Sequence, residues 1–108
     1  MKLDIPTIID TYLKASNASD LKAVLSCFTD TATVLDEKNI ITGHDAITEW
    51  FKKTRSKYQF KSIPIAIQGK GEKIRLTARV SGTFPGSPIN LDYDFIIVSG
   101  LIQDLRIT

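Results

Sequence analysis

The hydrophobic pattern divides the chain into a helical first half and a strand-rich second half. Apolar residues over 5–13 follow the i, i+3, i+4, i+7, i+8 spacing of one helix face, and Asp4 and Pro6 predict the cap and first turn of that helix. Ser19 predicts the cap of a shorter second helix with apolar positions over 21–28. Helices followed by strands indicate an α+β domain rather than alternating βαβ units.

A small hairpin and a third helix come next. The β-branched run over 31–36, a turn at 37–39 and the run over 40–42 predict two short strands. Gly43 then precedes a third amphipathic helix. The apolar face of this helix comprises Ala46, Ile47, Trp50, Phe51 and Thr54.

The same helix carries a basic cluster. Its members are Lys52, Lys53, Arg55 and Lys57. We interpret the cluster as a solvated face that complements the helix dipole, rather than as a phosphate or nucleic-acid patch.

After Tyr58 the pattern predicts long strands separated by turns at 69–71, 85–88 and 99–100. Apolar and polar residues alternate over 74–81 and again over 91–97, as expected of strands with one buried face. The predicted core-facing set is Ile74, Leu76, Ala78, Val80, Leu91, Tyr93, Phe95 and Ile97.

A hairpin between these two strands must place core residues opposite core residues. The predicted register pairs Val80 with Leu91, Arg79 with Asp92 and Thr77 with Asp94, and leaves Arg75 diagonal to Asp94. We therefore interpret the two aspartates as outward partners of arginines rather than as paired catalytic carboxylates. The same outer face is a candidate surface for a second subunit, which favours a homodimer.

Composition limits the function classes. With 108 residues and 43% hydrophobic residues, the chain predicts a single domain over 1–108 with one core. A formal net charge of +2 is too small for a nucleic-acid or anionic-membrane footprint, so neither partner is expected. The single cysteine, Cys27, forms no internal disulfide, and neither a signal peptide nor a spanning apolar run is recognised. We therefore expect a soluble, cytoplasmic protein.

Carboxylate chemistry is the chemistry that the sequence leaves open. CxxC, HExxH, GxSxG and phosphate-binding glycine motifs are absent, so neither a metal nor a cofactor is expected. Asp36 shares strand parity with Ala32 and Val34, and apolar neighbours would raise its pKa and prepare it for proton transfer. Alternatively, Asp36 ends the strand in solvent beside Glu37.

Several segments resemble the SnoaL-like and ketosteroid-isomerase-like members of the nuclear transport factor 2-like superfamily. They are Tyr12-Leu13-Lys14-Ala15, Asp20-Leu21-Lys22-Ala23-Val24, the run over 28–36, Gly43 and Ile47. The resemblance implies a cone-shaped α+β fold, with three N-terminal helices packed on a strongly curved mixed, mostly antiparallel sheet. It implies no single reaction, because isomerases, cyclases, dehydratases, epoxide hydrolases and non-enzymatic binders share this fold.

The resemblance also implies residue roles. Asp36 falls where the isomerases place a general base, and Tyr12 falls where they place a tyrosine that donates to an oxyanion. Their second, protonated carboxyl aligns with Phe95, whereas Asp94 points to the other face unless a bulge turns it inward. The cyclases add a histidine on the sheet, but His44 is interpreted here as a surface or capping residue. The epoxide hydrolase arrangement needs an inward arginine, which neither strand-borne arginine supplies.

An apolar pocket between helices and sheet follows from the same resemblance. Its predicted ligand-binding residues are Phe28, Val34, Trp50, Phe51, Tyr93 and Phe95. The alternative is that the aromatic residues of this set simply fill the core, which is the default in a domain of this size. Trp50 and Tyr12 each carry a polar atom that needs a partner when buried, and Asp36 is the natural acceptor for one of them. The leading hypothesis is a cofactor-independent isomerase or cyclase acting on a small apolar carbonyl compound. The alternatives are a non-catalytic ligand-binding protein and a dimeric interaction domain.

Overall fold

The computed structural model describes residues 4–58 and 60–108, which form three helices and six strands. The helices are α1 (Thr7–Asn17), α2 (Leu21–Ser26) and α3 (His44–Tyr58). The strands are β1 (Phe28–Asp36), β2 (Asn39–Thr42), β3 (Lys61–Lys70), β4 (Lys73–Ser81), β5 (Ile89–Val98) and β6 (Leu101–Ile107). The predicted α+β class is confirmed.

The strands form one sheet in the order β2-β1-β6-β5-β4-β3. β1 and β6 are parallel, and every other neighbouring pair is antiparallel. The pairing shifts register within β1–β6, β3–β4 and β5–β6. Because such irregularities bend strands and increase their twist, the sheet curves toward the helices, as the predicted cone-shaped fold requires.

The core lies between the helices and the concave face of the sheet. Ile9, Leu13 and Ile47 from the helices are at most 4% exposed, and the predicted inward set on β4 is buried throughout. Alternation along β4 follows the predicted parity, since Arg75 and Arg79 are exposed on the opposite face. One predicted member of the α3 apolar face, Ala46, is exposed instead.

Both predicted helix caps differ by a residue or two from those observed. The N-cap of α1 is Pro6 and has no side-chain hydrogen bond, so Asp4 does not cap this helix. The N-cap of α2 is Asp20, whose Oδ1 accepts from the backbone N–H of Ala23 at 3.2 Å. Ser19 has a φ of 56° and precedes the cap, so it belongs to the turn between α1 and α2.

Phe28 also belongs to a different element from the one predicted. Its spacing from Leu21 fits a helix, yet α2 ends at Ser26 and Phe28 begins β1. Phe28 pairs with Ile102 of β6, and both side chains are buried. Tertiary pairing therefore outweighs the local helical spacing at this position.

The β4–β5 register differs from the prediction by two residues, which preserves the faces. Observed pairs are Val80 with Ile89, Ala78 with Leu91, Thr77 with Asp92 and Arg75 with Asp94. The connecting loop over 82–88 folds back on itself, because Ser87 Oγ accepts from the N–H of Gly82 at 2.8 Å. β5 therefore begins at Ile89, closer to Val80 than the alternation alone indicates. The predicted pairing of Arg79 with Asp92 is wrong, because Arg79 lies opposite Asn90 and Asp92 accepts from Thr77 Oγ1 at 2.7 Å. Asp94, predicted only diagonal to Arg75, lies opposite it and forms an ion pair at 2.7 Å.

Membrane insertion through a helix finds no support in the described part of the chain. None of the helices there combines the length and the apolar character that crossing a bilayer demands.

Two glycines at the β3–β4 turn provide a test of the packing. Gly69 and Gly71 have φ values of 97° and 68°, but only at Gly69 would an added Cβ collide with the backbone oxygen of Lys73. We expect Gly71→Ala to lower the free energy of unfolding by about 1 kcal/mol, because the left-handed backbone conformation of the alanine is its only cost. Gly69→Ala should lower it by about 3 kcal/mol. Urea unfolding measures both, and equal losses would contradict this account of the turn.

Candidate functional site

A cavity of about 430 Å³ lies between α1, α3 and the concave face of the sheet. Tyr12 and Ser16 reach it from α1, and Trp50, Phe51 and Thr54 reach it from α3. Strands and loops supply the remaining wall, which is mainly apolar and includes Phe60, Val80, Phe84, Pro85, Ile89, Leu91, Tyr93 and Ile107. The volume is within the range of small-molecule sites.

Asp36 brings a carboxylate to this apolar wall. It is the last residue of β1 and shares the core side of the strand with Ala32 and Val34, which are both fully buried. Trp50 Nε1 donates to Asp36 Oδ2 at 2.9 Å. Burial raises the pKa of Asp36 and outweighs the hydrogen bond from Trp50, which acts in the opposite direction. Asp36 does end β1, but it is half-buried rather than in solvent. The predicted hydrogen bond between Asp36 and an aromatic donor is confirmed at the partly buried Trp50.

Tyr12 is 3% exposed and lines the same cavity. Its ring packs edge-on against Phe28 and Phe95, with centroids 5.6 and 5.9 Å away. Burial is the main cause that raises the pKa of Tyr12, and the negative charge of Asp36 contributes in the same direction. The phenol therefore stays protonated near neutral pH and can donate a hydrogen bond.

Tyr93 supplies a second phenol to the cavity. Its hydroxyl lies 3.1 Å from Ser62 Oγ, and both residues are buried. Burial raises the pKa of Tyr93 as well, partly offset by the hydrogen bond with Ser62. Ser62 in turn is fixed by Asn17, whose amide group accepts from the Ser62 N–H and donates to the Ser62 carbonyl, both at 2.9 Å.

The predicted site residues thus separate into two groups. Tyr12, Asp36, Trp50, Phe51 and Tyr93 come together at the cavity. Phe28, Val34 and Phe95 do not line it, because they are at most 2% exposed within the core. Phe28 and Phe95 act behind the wall by supporting the ring of Tyr12.

Two further candidates from the sequence lie elsewhere. Asp94 accepts from the Arg75 guanidinium at 2.7 and 3.2 Å on the outer face, so no bulge turns it inward. His44 Nε2 lies 3.2 Å from the carbonyl oxygen of Phe28, which ties the start of α3 to β1. Within the described ranges, His, Cys, Asp and Glu side chains nowhere gather in groups of three that could hold a metal ion.

Sequence reasoning missed Ser62 and Arg55. Lys52 and Lys53 are exposed, as predicted, but Arg55 is half-buried against the ring of Phe60 at 4.4 Å. The signal was the spacing from Phe51, since residues four apart lie on the same face of a helix. The sequence did not indicate Ser62, because a serine among isoleucines is common in strands.

Comparisons with known proteins agree with this architecture. The sequence model of the SnoaL-like domain matches residues 9–108, and no curated protein matches the chain. A candidate polyketide cyclase from Sinorhizobium meliloti is 34% identical, with a TM-score of 0.94 and coverage of 97% of this chain and 96% of its own.

Two more distant structures show likeness of fold alone. One is a Catenulispora acidiphila protein with a ketosteroid isomerase-like fold, solved with trimethylamine; it is 16% identical over 95% of this chain and 85% of its own, with a TM-score of 0.83. The other is the epoxide hydrolase/cyclase-like enzyme SalBIII of pyran ring formation in the polyether salinomycin, 22% identical over 93% and 85%, with a TM-score of 0.81. The family match and the 34% identity over nearly the whole chain lead to one conclusion: the chain is a member of the SnoaL-like domain family of the nuclear transport factor 2-like superfamily.

Proposed function

We propose that the cavity binds a small, mostly apolar carbonyl compound and that Asp36 transfers a proton on it, in a cofactor-independent isomerisation or cyclisation. The observation that carries the proposal is the half-buried Asp36–Trp50 pair at a cavity that also contains two phenols. A general base works best when its pKa lies near the operating pH, and burial shifts Asp36 in that direction.

The phenols supply the complementary chemistry. When a base removes a proton next to a carbonyl, the electron pair moves to the carbonyl oxygen, which needs hydrogen-bond donors. Tyr12 is the first donor in this proposal. Ser62 can donate its own hydroxyl proton to Tyr93, which leaves the Tyr93 hydroxyl free to donate to the same oxygen.

Two products are open to the resulting enolate. Return of the proton from Asp36 to a different carbon gives an isomer. Alternatively, attack of the enolate carbon on a second carbonyl forms a carbon–carbon bond and a ring, and the alkoxide left by the broken carbonyl π bond takes the proton from Asp36. The cyclase reaction is favoured by the 34% identical Sinorhizobium meliloti protein, which is described as a candidate polyketide cyclase.

Binding without turnover is the second candidate. The cavity wall is mainly apolar, and Asp36 could anchor one polar group of a ligand without moving a proton. The fold accommodates both activities, so measurements on Asp36 have to distinguish them.

Dimer formation through the outer sheet face is also proposed. Arg79 on β4 is exposed, and its partner Ile63 on the neighbouring strand is 58% exposed on the same face. An isoleucine this exposed is a candidate for the apolar core of an interface, from which charged residues are depleted.

The protonation of Asp36 can be measured directly. Carbon-detected NMR should give a pKa above the reference value of about 4. Trp50→Phe removes the hydrogen bond to the ionised carboxylate, so the pKa of Asp36 should rise further. Asp30 is the internal control, since it lies on the same strand and is exposed. An Asp36 pKa that is ordinary in both proteins would contradict the proposed base.

Turnover provides a second test of Asp36. Enolisation can be followed without knowing the product, as deuterium uptake at the α-carbon of a panel of ketones and 1,3-diketones. We expect Asp36→Asn to slow the uptake by about a hundredfold or more, while Asp30→Asn leaves it unchanged. If uptake is equal in Asp36→Asn and wild type, the binding alternative is favoured.

Replacing Asp36 should change the stability of the fold in the opposite direction from replacing a carboxylate with a structural role. The pKa of Asp36 is higher in the folded than in the unfolded chain, so folding favours its protonated form. The free energy of unfolding of wild type should therefore fall relative to Asp36→Asn as the pH rises from about 4 through the raised pKa. Urea unfolding across this window measures the difference, and a loss of stability in Asp36→Asn at pH 7 would indicate a structural role.

The proposed dimer can be tested by its mass in solution. Sedimentation at micromolar concentration should give the mass of a dimer, and Ile63→Asp should shift it toward the monomer because a charge would be buried. Ile40→Asp is the matched control, since Ile40 is 75% exposed on β2 at the opposite edge of the sheet. A monomeric mass for wild type would refute the dimer.

A further inference from the structure

Arg55 is held against the cavity wall by contacts from three directions. Its Nε donates to Ser19 Oγ at 3.3 Å, and its Nη2 donates to the carbonyl of Asn17 at 3.5 Å. Its guanidinium carbon lies 4.4 Å above the ring of Phe60, which lines the cavity. The charge is thus fixed just behind the wall, at the junction of α1, α3 and the start of β3.

One guanidinium nitrogen remains without a partner. Arg55 Nη1 is buried and makes no hydrogen bond among the described residues. No salt bridge of the described residues includes Arg55 either, so no carboxylate neutralises its charge. A half-buried guanidinium with one enclosed nitrogen that lacks a partner requires an explanation beyond packing.

The phenols of the cavity lie within the field of this charge. Burial is the main cause that raises the pKa of Tyr12 and Tyr93, and the positive charge of Arg55 acts on both in the opposite direction. Asn17 connects the two regions directly, because its carbonyl accepts from Arg55 and its side chain fixes Ser62, the hydrogen-bond partner of Tyr93.

The cavity itself supplies no other cation. Its lining residues include the acidic side chains of Asp36 and Glu37 but neither lysine nor arginine among the described residues. Negative charge in an apolar cavity is therefore balanced only from behind the wall, where an effective dielectric constant well below that of water strengthens the interaction.

We propose that Arg55 is a positioning residue whose charge acts through Tyr12 and Tyr93, so that the cavity selects the anionic form of an acidic enol or phenol. This inference rests on the proposed function, because such an anion is the enolate that Asp36 would generate. The preferred ligands are 1,3-dicarbonyl compounds and phenols. Carboxylates are disfavoured, because the buried Nη1 cannot offer the fork-shaped pairing that arginine gives an accessible carboxylate.

The test measures equilibrium binding of 4-nitrophenol, whose neutral and ionised forms absorb at different wavelengths. The measurement is made in the Asp36→Asn chain, because a neutral amide imitates the carboxyl group after it has received the proton. The dissociation constants of phenol and phenolate are obtained from titrations on both sides of the ligand's own pKa. We expect phenolate to bind at least about tenfold more tightly than phenol.

Substitutions of Arg55 then identify the source of the selectivity. Arg55→Gln should remove most of the preference for phenolate and leave the affinity for neutral phenol unchanged. Arg55→Lys keeps the charge and should retain most of the preference. Arg79→Gln removes an equal charge from the outer face of β4 and should have no effect.

Three outcomes would overturn the inference. The first is equal affinity for phenol and phenolate in Asp36→Asn, which requires no change at Arg55 and so remains decisive if Arg55→Gln fails to fold. The second is an unchanged preference in a folded Arg55→Gln protein. The third is equal loss of affinity for both forms in Arg55→Gln and Arg55→Lys, which a purely structural role predicts.

A different set of results would refute the proposed function. Selective phenolate binding that depends on Arg55, without deuterium uptake by ketones in wild type, would refute proton transfer and leave the anion preference in place. Conversely, deuterium uptake that depends on Asp36, without a phenolate preference, would refute only the role of Arg55.

Discussion

The parallel pairing of β1 with β6 is the constraint on which the cavity depends. It joins the helical half of the chain to the last strand of the sheet, and its partners Val34 and Leu105 are both fully buried. Because side chains alternate along a strand, fixing Val34 in the core also fixes Asp36 on the core side. Asp36 then meets Trp50 on α3 at the point where β1 ends.

A carboxylate in this position loses hydration free energy, and neighbouring groups must compensate for that loss. The hydrogen bond from Trp50 offsets part of the desolvation penalty, yet the pKa of Asp36 remains raised. Outward carboxylates show the contrast, since Asp94 is paired with Arg75 and Asp92 accepts from Thr77 at 2.7 Å. Compensation is incomplete at Asp36 in the cavity, and the Arg55 guanidinium just behind the cavity wall is also incompletely paired. Perturbed groups that gather at one cavity are typical of functional sites.

Local patterns predicted most of the elements and most of the faces. The period of 3.6 placed Tyr12, Trp50 and Phe51 on inward helix faces, and the period of 2 placed Asp36 on the core side of β1. The same alternation separated inward Tyr93 from outward Asp94 on β5. The contact between Trp50 and Asp36 followed because a buried indole N–H needs an acceptor.

Long-range geometry was beyond those patterns. Phe28 fits a helix by spacing, and only its pairing with Ile102 reveals a strand. A register shift of two residues in β4–β5 keeps every face unchanged, so alternation cannot detect it. Arg55 appeared to belong with its exposed lysine neighbours, since nothing local predicts that Phe60 and Asn17 would hold its side chain.

On β5 the residue that can donate a hydrogen bond into the cavity is Tyr93 rather than Phe95, and this difference affects where negative charge on a ligand can be stabilised. The resemblance to ketosteroid-isomerase-like proteins aligns their second oxyanion donor with Phe95, which here packs against Tyr12 and has no proton to donate. Tyr93 lies on the same face two residues earlier, about 7 Å along the strand. That step leads toward Ile89 and the 82–88 loop, whose Phe84 and Pro85 border the cavity. In the proposed reaction, a ligand oxygen that accepts hydrogen bonds from both phenols would therefore lie toward this loop, within the field of Arg55. The acidic carbon of the ligand would then face Asp36.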